Sequence, residues 1–134
     1  MDGRCQCGAI KFTTPTPTPQ TVFICHCTQC RHQSSSAFGV SARFPAFEIP
    51  SPHPDAIGTY SRPTLSGGVT DCLFCTKCGS RLMHRRKGEE KCSVKGGCLE
   101  GLSLKDAVHI WCQEAIVEVP AGATRYDREP PRGW

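Results

Sequence analysis

The sequence predicts a mainly β domain of small antiparallel sheets, stapled by metal, with little helix. Three observations predict it. Apolar residues alternate with a period of two in short runs, glycine and proline interrupt the chain every few residues, and cysteine is abundant where aliphatic residues are scarce. The 134 residues include 13 Gly, 11 Pro and 11 Cys. Leu, Ile, Val and Phe account for only 25 of them, just under the level of about one in five at which core material becomes thin. The net charge of +4 is too small to imply disorder. The chain therefore folds with something supplementing its core, and its length suits one domain over residues 1–134.

The first strand signal is Ile10 and Phe12 alternating with Lys11. Residues 13–19, a Pro/Thr-rich stretch, read as an extended surface connection between two strands. Val22 and Ile24 alternate with Phe23 and Cys25, and a helical turn or two fits residues 28–33. Thr70, Cys72 and Phe74 alternate with Asp71 and Leu73. The basic run Arg81, His84, Arg85, Arg86 and Lys87 reads as a solvated hairpin, because alternation divides its charges between two faces. A second helical turn fits residues 103–107. Val108, Ile110 and Cys112 then share one face of a strand, with His109 and Trp111 on the other. Residues 128–134 read as an irregular tail whose Trp134 docks on the domain or on a second chain.

Charge and patterning exclude several partners. An isoelectric point near 8.5 lies below the value of about 9 expected of a nucleic-acid-binding domain. No apolar run approaches the roughly 20 residues that cross a membrane. The opening residues, Met1 to Cys5, carry no apolar segment of a secretory signal, so the sequence reads as cytoplasmic. An odd number of cysteines in a reducing compartment favours metal binding over disulfides. A small-molecule partner is the class that remains.

Cysteines fall at positions 5, 7, 25, 27, 30, 72, 75, 78, 92, 98 and 112. In an extended strand, C-x-C sets two thiols side by side; C-x-x-C does so across a tight turn, and a following glycine supplies the positive φ that closes it. Two such pairs form a closed, tetrahedral structural zinc site. The spacing pairs Cys5 and Cys7 with Cys75 and Cys78, fastening the first strand to the middle of the chain. Cys72 competes with Cys78 for Cys75, and the glycine after Cys78 favours the latter. Cys25, Cys27 and Cys30 bring three thiolates from six residues with no obvious fourth ligand, the arrangement of a catalytic zinc with an open position. His26 points away from its neighbours in an extended C-x-C, while His32, His109 and Cys112 are available to close that site. Cys72, Cys92, Cys98 and Cys112 otherwise read as small buried apolar residues.

On these residues the chain resembles the glutathione-dependent formaldehyde-activating (GFA) family, which also includes centromere protein V. The resemblance rests on Gly3-Arg4-Cys5-Gln6-Cys7-Gly8-Ala9-Ile10-Lys11-Phe12, Cys25-His26-Cys27-Thr28-Gln29-Cys30-Arg31, Ser34-Ser35-Ser36-Ala37-Phe38-Gly39 and Phe74-Cys75-Thr76-Lys77-Cys78-Gly79-Ser80. Gly97-Cys98-Leu99 and His109-Ile110-Trp111 extend it more weakly. It implies a β-tent fold, a structural zinc at Cys5, Cys7, Cys75 and Cys78, and a catalytic zinc at Cys25, Cys27 and Cys30. It also implies a carbon–sulfur lyase acting on a glutathione–formaldehyde adduct.

Three thiolates on Zn²⁺ leave a net charge of −1, which suits docking of a further soft sulfur ligand. A substrate thiol bound there could attack an aldehyde carbonyl and form a carbon–sulfur bond. Arg31 is placed to hold a substrate carboxylate or to balance the thiolates, and Ser36 and Phe38 to line the pocket. His84, His109, Asp106 and Glu114 are the available acid–base groups. Two other classes fit the same residues: a biosynthetic tailoring lyase or isomerase acting on a non-glutathione, polyketide-like metabolite, and a non-catalytic zinc-stabilised binding module.

Overall fold

A computed structural model of the chain describes residues 1–64 and 67–131. Nine strands, one short α-helix and two 3-10 turns make up its regular structure among these residues. Strands β1 (Asp2–Arg4) and β2 (Lys11–Thr13) pair antiparallel as a small two-stranded sheet. The other seven form one sheet. They are β3 (Thr21–Cys25), β4 (Gly39–Pro45), β5 (Ile57–Pro63), β6 (Val69–Cys75), β7 (Arg81–Arg86), β8 (Lys91–Lys95) and β9 (Val108–Ile110), with spatial order β5-β6-β7-β8-β4-β3-β9. Strands β5 to β8 run as a meander, and β8 returns to pair with β4. Helix α1 (Thr28–Ser34) links β3 to β4.

The fold is thus mainly β, with one large sheet where several small ones were predicted. One pair is also parallel: β9 runs beside β3, with Phe23 opposite Val108 and Cys25 opposite Ile110. A parallel pair needs a long return, and the 82 residues separating β3 from β9 supply it.

The core lies between the two sheets. Phe12 from the small sheet and Ile10 just before it meet Ala42, Phe44, Leu82, Met83 and Val94 from the large one, and Cys5 and Cys75 belong to the same buried cluster. The Pro/Thr stretch leads from β2 to β3. It is anchored by Thr14, whose hydroxyl accepts from the Met1 amino group at 2.7 Å and donates to the Thr16 carbonyl.

Three local expectations are corrected. Residues 103–107 form no helix: the Ser103 hydroxyl accepts from the Lys105 N–H, and Asp106 adopts φ of 63°, so the chain makes a single turn. Strand β9 ends at Ile110, because Trp111 takes a left-handed conformation and Cys112 opens a 3-10 turn over Cys112–Glu114. The alternating faces therefore do not reach Cys112. Residues Arg81 to Arg86 do form a hairpin strand, but they are half-buried or buried rather than solvated. Trp134 lies outside the described residues.

Candidate metal centres

Two groups of cysteines converge. The first joins the turn after β1 to the turn after β6. The Gly8 N–H donates to the Cys5 carbonyl, and the Cys5 N–H to the Ile10 carbonyl, at 3.1 Å each. Across the molecule, the Gly79 N–H donates to the Cys75 carbonyl at 2.8 Å and the Cys75 N–H to the Ser80 carbonyl at 2.9 Å. Gly8 and Gly79 have φ of 75° and 74°, the conformation the sequence assigned to a glycine after each pair. Cys5-Gln6-Cys7 is nevertheless a turn, not the extended strand that the spacing argument assumed.

All four sulfurs of Cys5, Cys7, Cys75 and Cys78 lie within 4.8 Å of one another. Cys5 Sγ is 3.5 Å from Cys7 Sγ, and Cys7 Sγ is 3.9 Å from Cys75 Sγ. The Ile10 N–H donates to Cys5 Sγ at 3.3 Å. The Ser80 hydroxyl and N–H, with the Cys7 N–H, hold Cys78 at about 5. The Ala9 N–H pulls Cys7 down, but burial and the neighbouring thiols push it up to about 11. A cavity of about 340 Å³, lined in part by Arg4, Cys5, Cys98 and Glu100, lies against this group.

The second group is local. Cys25 ends β3, Cys27 is the residue before α1, and Cys30 lies in its first turn; their sulfurs also lie within 4.8 Å of one another. The spacing works because Cys27 Sγ accepts from the Cys30 N–H at 3.4 Å, as an N-cap side chain does. Cys25 and Cys30 are buried, and Cys27 is half-exposed, so the Cys27 side of the trio is the more open one. Hydrogen bonds from Cys25 and Cys30 pull the Cys27 thiol far down, and the same contacts push Cys25 far up.

No fourth ligand atom of a Cys, His, Asp or Glu joins this trio among the described residues. The candidates to close it are placed elsewhere. His32 is exposed on α1. His109 stacks on His26 with ring centroids 5.3 Å apart, and its Nδ1 lies 3.0 Å from His26 Nε2. Burial and neighbouring cations lower both histidines. Cys112 is buried in its 3-10 turn. Cys72 and Cys92 are buried free thiols, and Cys98 is half-buried with its thiol on the Arg81 carbonyl at 3.2 Å.

The remaining predicted residues divide. Arg31 donates from Nη2 to Thr28 Oγ1 at 3.2 Å. Phe38 meets His26 edge-on at 5.9 Å, while Ser36 is exposed on the loop after α1. Asp106 is exposed in its turn. Glu114 accepts from the Thr28 N–H at 2.8 Å and the Thr28 hydroxyl at 2.9 Å, which ties the chain after β9 to the start of α1. His84 is held well below the usual histidine range by burial and by Lys95, Arg62, Arg43 and Arg81.

Sequence reasoning missed Lys95. It is only 7% exposed, and its Nζ donates to Ser41 Oγ at 3.3 Å. Burial lowers it, and the nearby Cys30, Cys72 and Cys25 oppose that lowering. The available signal was its place in an alternating run: Cys92 and Val94 face the core, which turns Lys95 toward the other side.

The family model described as "Glutathione-dependent formaldehyde-activating enzyme" matches residues 1–114. No curated protein shows a significant match to the chain. Among solved structures, a crystal structure of a Rhodobacter sphaeroides protein superimposes with a TM-score of 0.56. The match covers 79% of this chain and 94% of that chain at 23% sequence identity, a likeness of fold.

Proposed function

From its membership of the glutathione-dependent formaldehyde-activating enzyme family, to which the chain belongs, we propose that it is a zinc-dependent small-molecule enzyme. In this reading it makes and breaks the carbon–sulfur bond between a glutathione-type thiol and an aldehyde, with residues 1–134 acting as one domain. The observation that carries the reading is the trio of Cys25, Cys27 and Cys30, convergent, half-accessible and without a fourth protein ligand among the described residues.

The donor chemistry fits zinc at both groups. Four thiols suit a closed structural ion at Cys5, Cys7, Cys75 and Cys78, and three suit a catalytic ion that keeps one position for substrate. Backbone N–H groups aimed at Cys5 Sγ and Cys27 Sγ stabilise the thiolate form such ligands require. When bound at the trio, zinc supplies a Lewis-acidic centre with room for one more sulfur. Cys25, Cys27 and Cys30 fix that position from the end of β3 and the first turn of α1. Lys95 places a positive charge beside Cys30 and Cys25 and offsets their negative charge. Glu114 holds the start of α1 through Thr28, so the three sulfurs keep their spacing. Arg31, Ser36 and Phe38, on α1 and the loop after it, are the residues assigned to meet the substrate.

In the reaction, the substrate sulfur adds to the aldehyde carbon, a carbon–sulfur bond forms, and the carbonyl oxygen takes up the proton that sulfur has released. Reversal breaks the bond and regenerates thiol and aldehyde.

The test is exchange of glutathione and formaldehyde with their adduct, followed by NMR. The zinc-loaded protein accelerates exchange, and Cys27→Ala does not. Exchange no faster than the uncatalysed rate at millimolar glutathione moves the function to a tailoring reaction on another metabolite. Acceleration retained in Cys27→Ala removes the trio from the mechanism.

A further inference from the structure

The large sheet ends on two edges, and among the described residues the chain covers one of them. At the β9 edge the His109 N–H donates to the Thr124 carbonyl at 2.8 Å, and the His109 carbonyl accepts from the Tyr126 N–H at 2.9 Å, so residues 124–126 lie along that strand. The other edge is β5, seven residues long and paired on one side only. Thr59, Tyr60 and Ser61, at its middle, are all exposed. An edge in this state offers a row of unpaired donors and acceptors to a further strand.

The register identifies those groups. Antiparallel pairs alternate between hydrogen-bonded and non-hydrogen-bonded. Just beyond the two ends of β5, the Thr64 N–H donates to the Gly68 carbonyl at 2.8 Å, and the Thr76 N–H donates to the Ala56 carbonyl at 3.0 Å. Both pairs continue the β5–β6 register, in which Ile57 stands opposite Cys75 and Pro63 opposite Val69. Gly58, Tyr60 and Arg62 therefore bond inward, to β6. The backbone groups of Ile57, Thr59 and Ser61 point outward, and nothing bonds to them among the described residues. Pro63 belongs to the outward set too, where its missing N–H costs the β5–β6 ladder nothing.

We propose that β5 pairs antiparallel with β5 of a second copy of this chain, about a two-fold axis at Tyr60. Tyr60 is the middle residue of Ile57–Pro63, so this register uses the whole strand. Thr59 exchanges both backbone hydrogen bonds with Ser61 of the second copy, and Ile57 donates to the carbonyl of the second copy's Pro63. That carbonyl accepts from Arg62 Nη1 at 3.4 Å and keeps a second lone pair. The contact is isologous, so every bond occurs twice. The side chains suit a copy of the same strand. Its one charged residue, Arg62, falls opposite Gly58, which keeps like charges apart. Two exposed apolar side chains, Tyr60 at 55% and Val69 at 57%, sit at this edge. The Tyr60 rings meet across the axis, and Val69 falls in one row with Pro63 and Ile57 of the second copy. Cys25 lies on β3, toward the opposite edge, so this pairing stands independently of the thiol chemistry.

Sedimentation of the zinc-loaded chain from about 1 to 500 μM tests it, a range suited to a small interface. The mass rises from 14.6 kDa toward twice that value with concentration. Thr59→Pro removes an outward N–H while leaving the β5–β6 ladder intact, and it weakens association about tenfold or more because the loss is doubled by symmetry. Tyr60→Lys, which keeps every backbone group and sets two cations face to face on the axis, does the same if the proline variant fails to fold. Leu104→Lys, at an exposed position outside the strand, leaves association unchanged. Amide hydrogen exchange reads the register. Gly58, Tyr60 and Arg62 are protected at every concentration, whereas Ile57, Thr59 and Ser61 gain protection only as the dimer forms. A chain that stays monomeric overturns the proposal, whether the edge then proves bare or takes a strand of another protein. A dimer that survives both Thr59→Pro and Tyr60→Lys, or one in which Ile57, Thr59 and Ser61 exchange as freely as in the monomer, also overturns it.

Discussion

Replacing Cys75 with serine removes one of the four thiols that join the small sheet to the large one. Cys75 is fully buried in the core cluster that also contains Cys5. Cys7 and Cys75 are 68 residues apart in sequence. Closing a loop of that length restricts the unfolded chain by an amount worth about 4 kcal/mol. The ligand bonds of a structural zinc add more, up to apparent values on the order of 10 kcal/mol. Domains of this size are stable by roughly 5–15 kcal/mol in total, and this chain has little aliphatic core in reserve. Cys75→Ser is therefore expected to lose most of its stability. The assay is a thermal melt followed by near-ultraviolet circular dichroism, with zinc counted by elemental analysis. The expected protein binds no metal at the quartet and melts without a cooperative transition. A Cys75→Ser protein that loses that metal yet melts cooperatively at the parent temperature would refute the stapling argument.

Three further outcomes follow from the same geometry. Cys27→Ala lowers the bound zinc from two ions per chain to one while keeping a cooperative melt, since the lost N-cap contact costs only about 0.5–2 kcal/mol; metal analysis with calorimetry checks both parts. Gly3→Ala destabilises the chain by about 1–3 kcal/mol in urea titration, because a Cβ at Gly3 would lie 2.5 Å from the Phe12 ring in the core. His84 is depressed in the folded chain, so the unfolded chain takes up its proton first as pH falls below about 6.5. The associated stability is complete above that pH and is lost as pH falls toward the lower folded value, by up to about 1.4 kcal/mol per pH unit. Stability measured between pH 7 and 5 in His84→Gln should show a slope shallower by one proton than the parent, and equal slopes would contradict the burial argument.

Both cysteine groups were legible in the sequence because the bonds that shape them are local. A turn closed by Gly8 or Gly79 and an N-cap at Cys27 each act over a few residues. Strands β2, β3 and β6 were legible because aliphatic and aromatic residues alternate in them. Strand β4 was not, since Val40, Ala42 and Phe44 alternate with Ser41 and Arg43 in a run bounded by Gly39 and Pro45, and half its signal lies in small or cationic residues. The merging of strands into one sheet depends on β8 returning to β4 and β9 to β3, pairings with no local signature. The same non-local pairing brings Lys95 beside the trio, and it spends Glu114 on Thr28 rather than leaving it as a free acid–base group.

The proposed chemistry requires the trio to hold a metal through three sulfurs with one position left for a substrate thiol. X-ray absorption at the cobalt edge, with cobalt placed at Cys25, Cys27 and Cys30 and zinc retained at the quartet, reads that directly. The expected spectrum is three sulfur neighbours and one lighter atom, changing to four sulfurs when glutathione is added. Four sulfurs before any thiol is added, or three that persist at saturating glutathione, would contradict it.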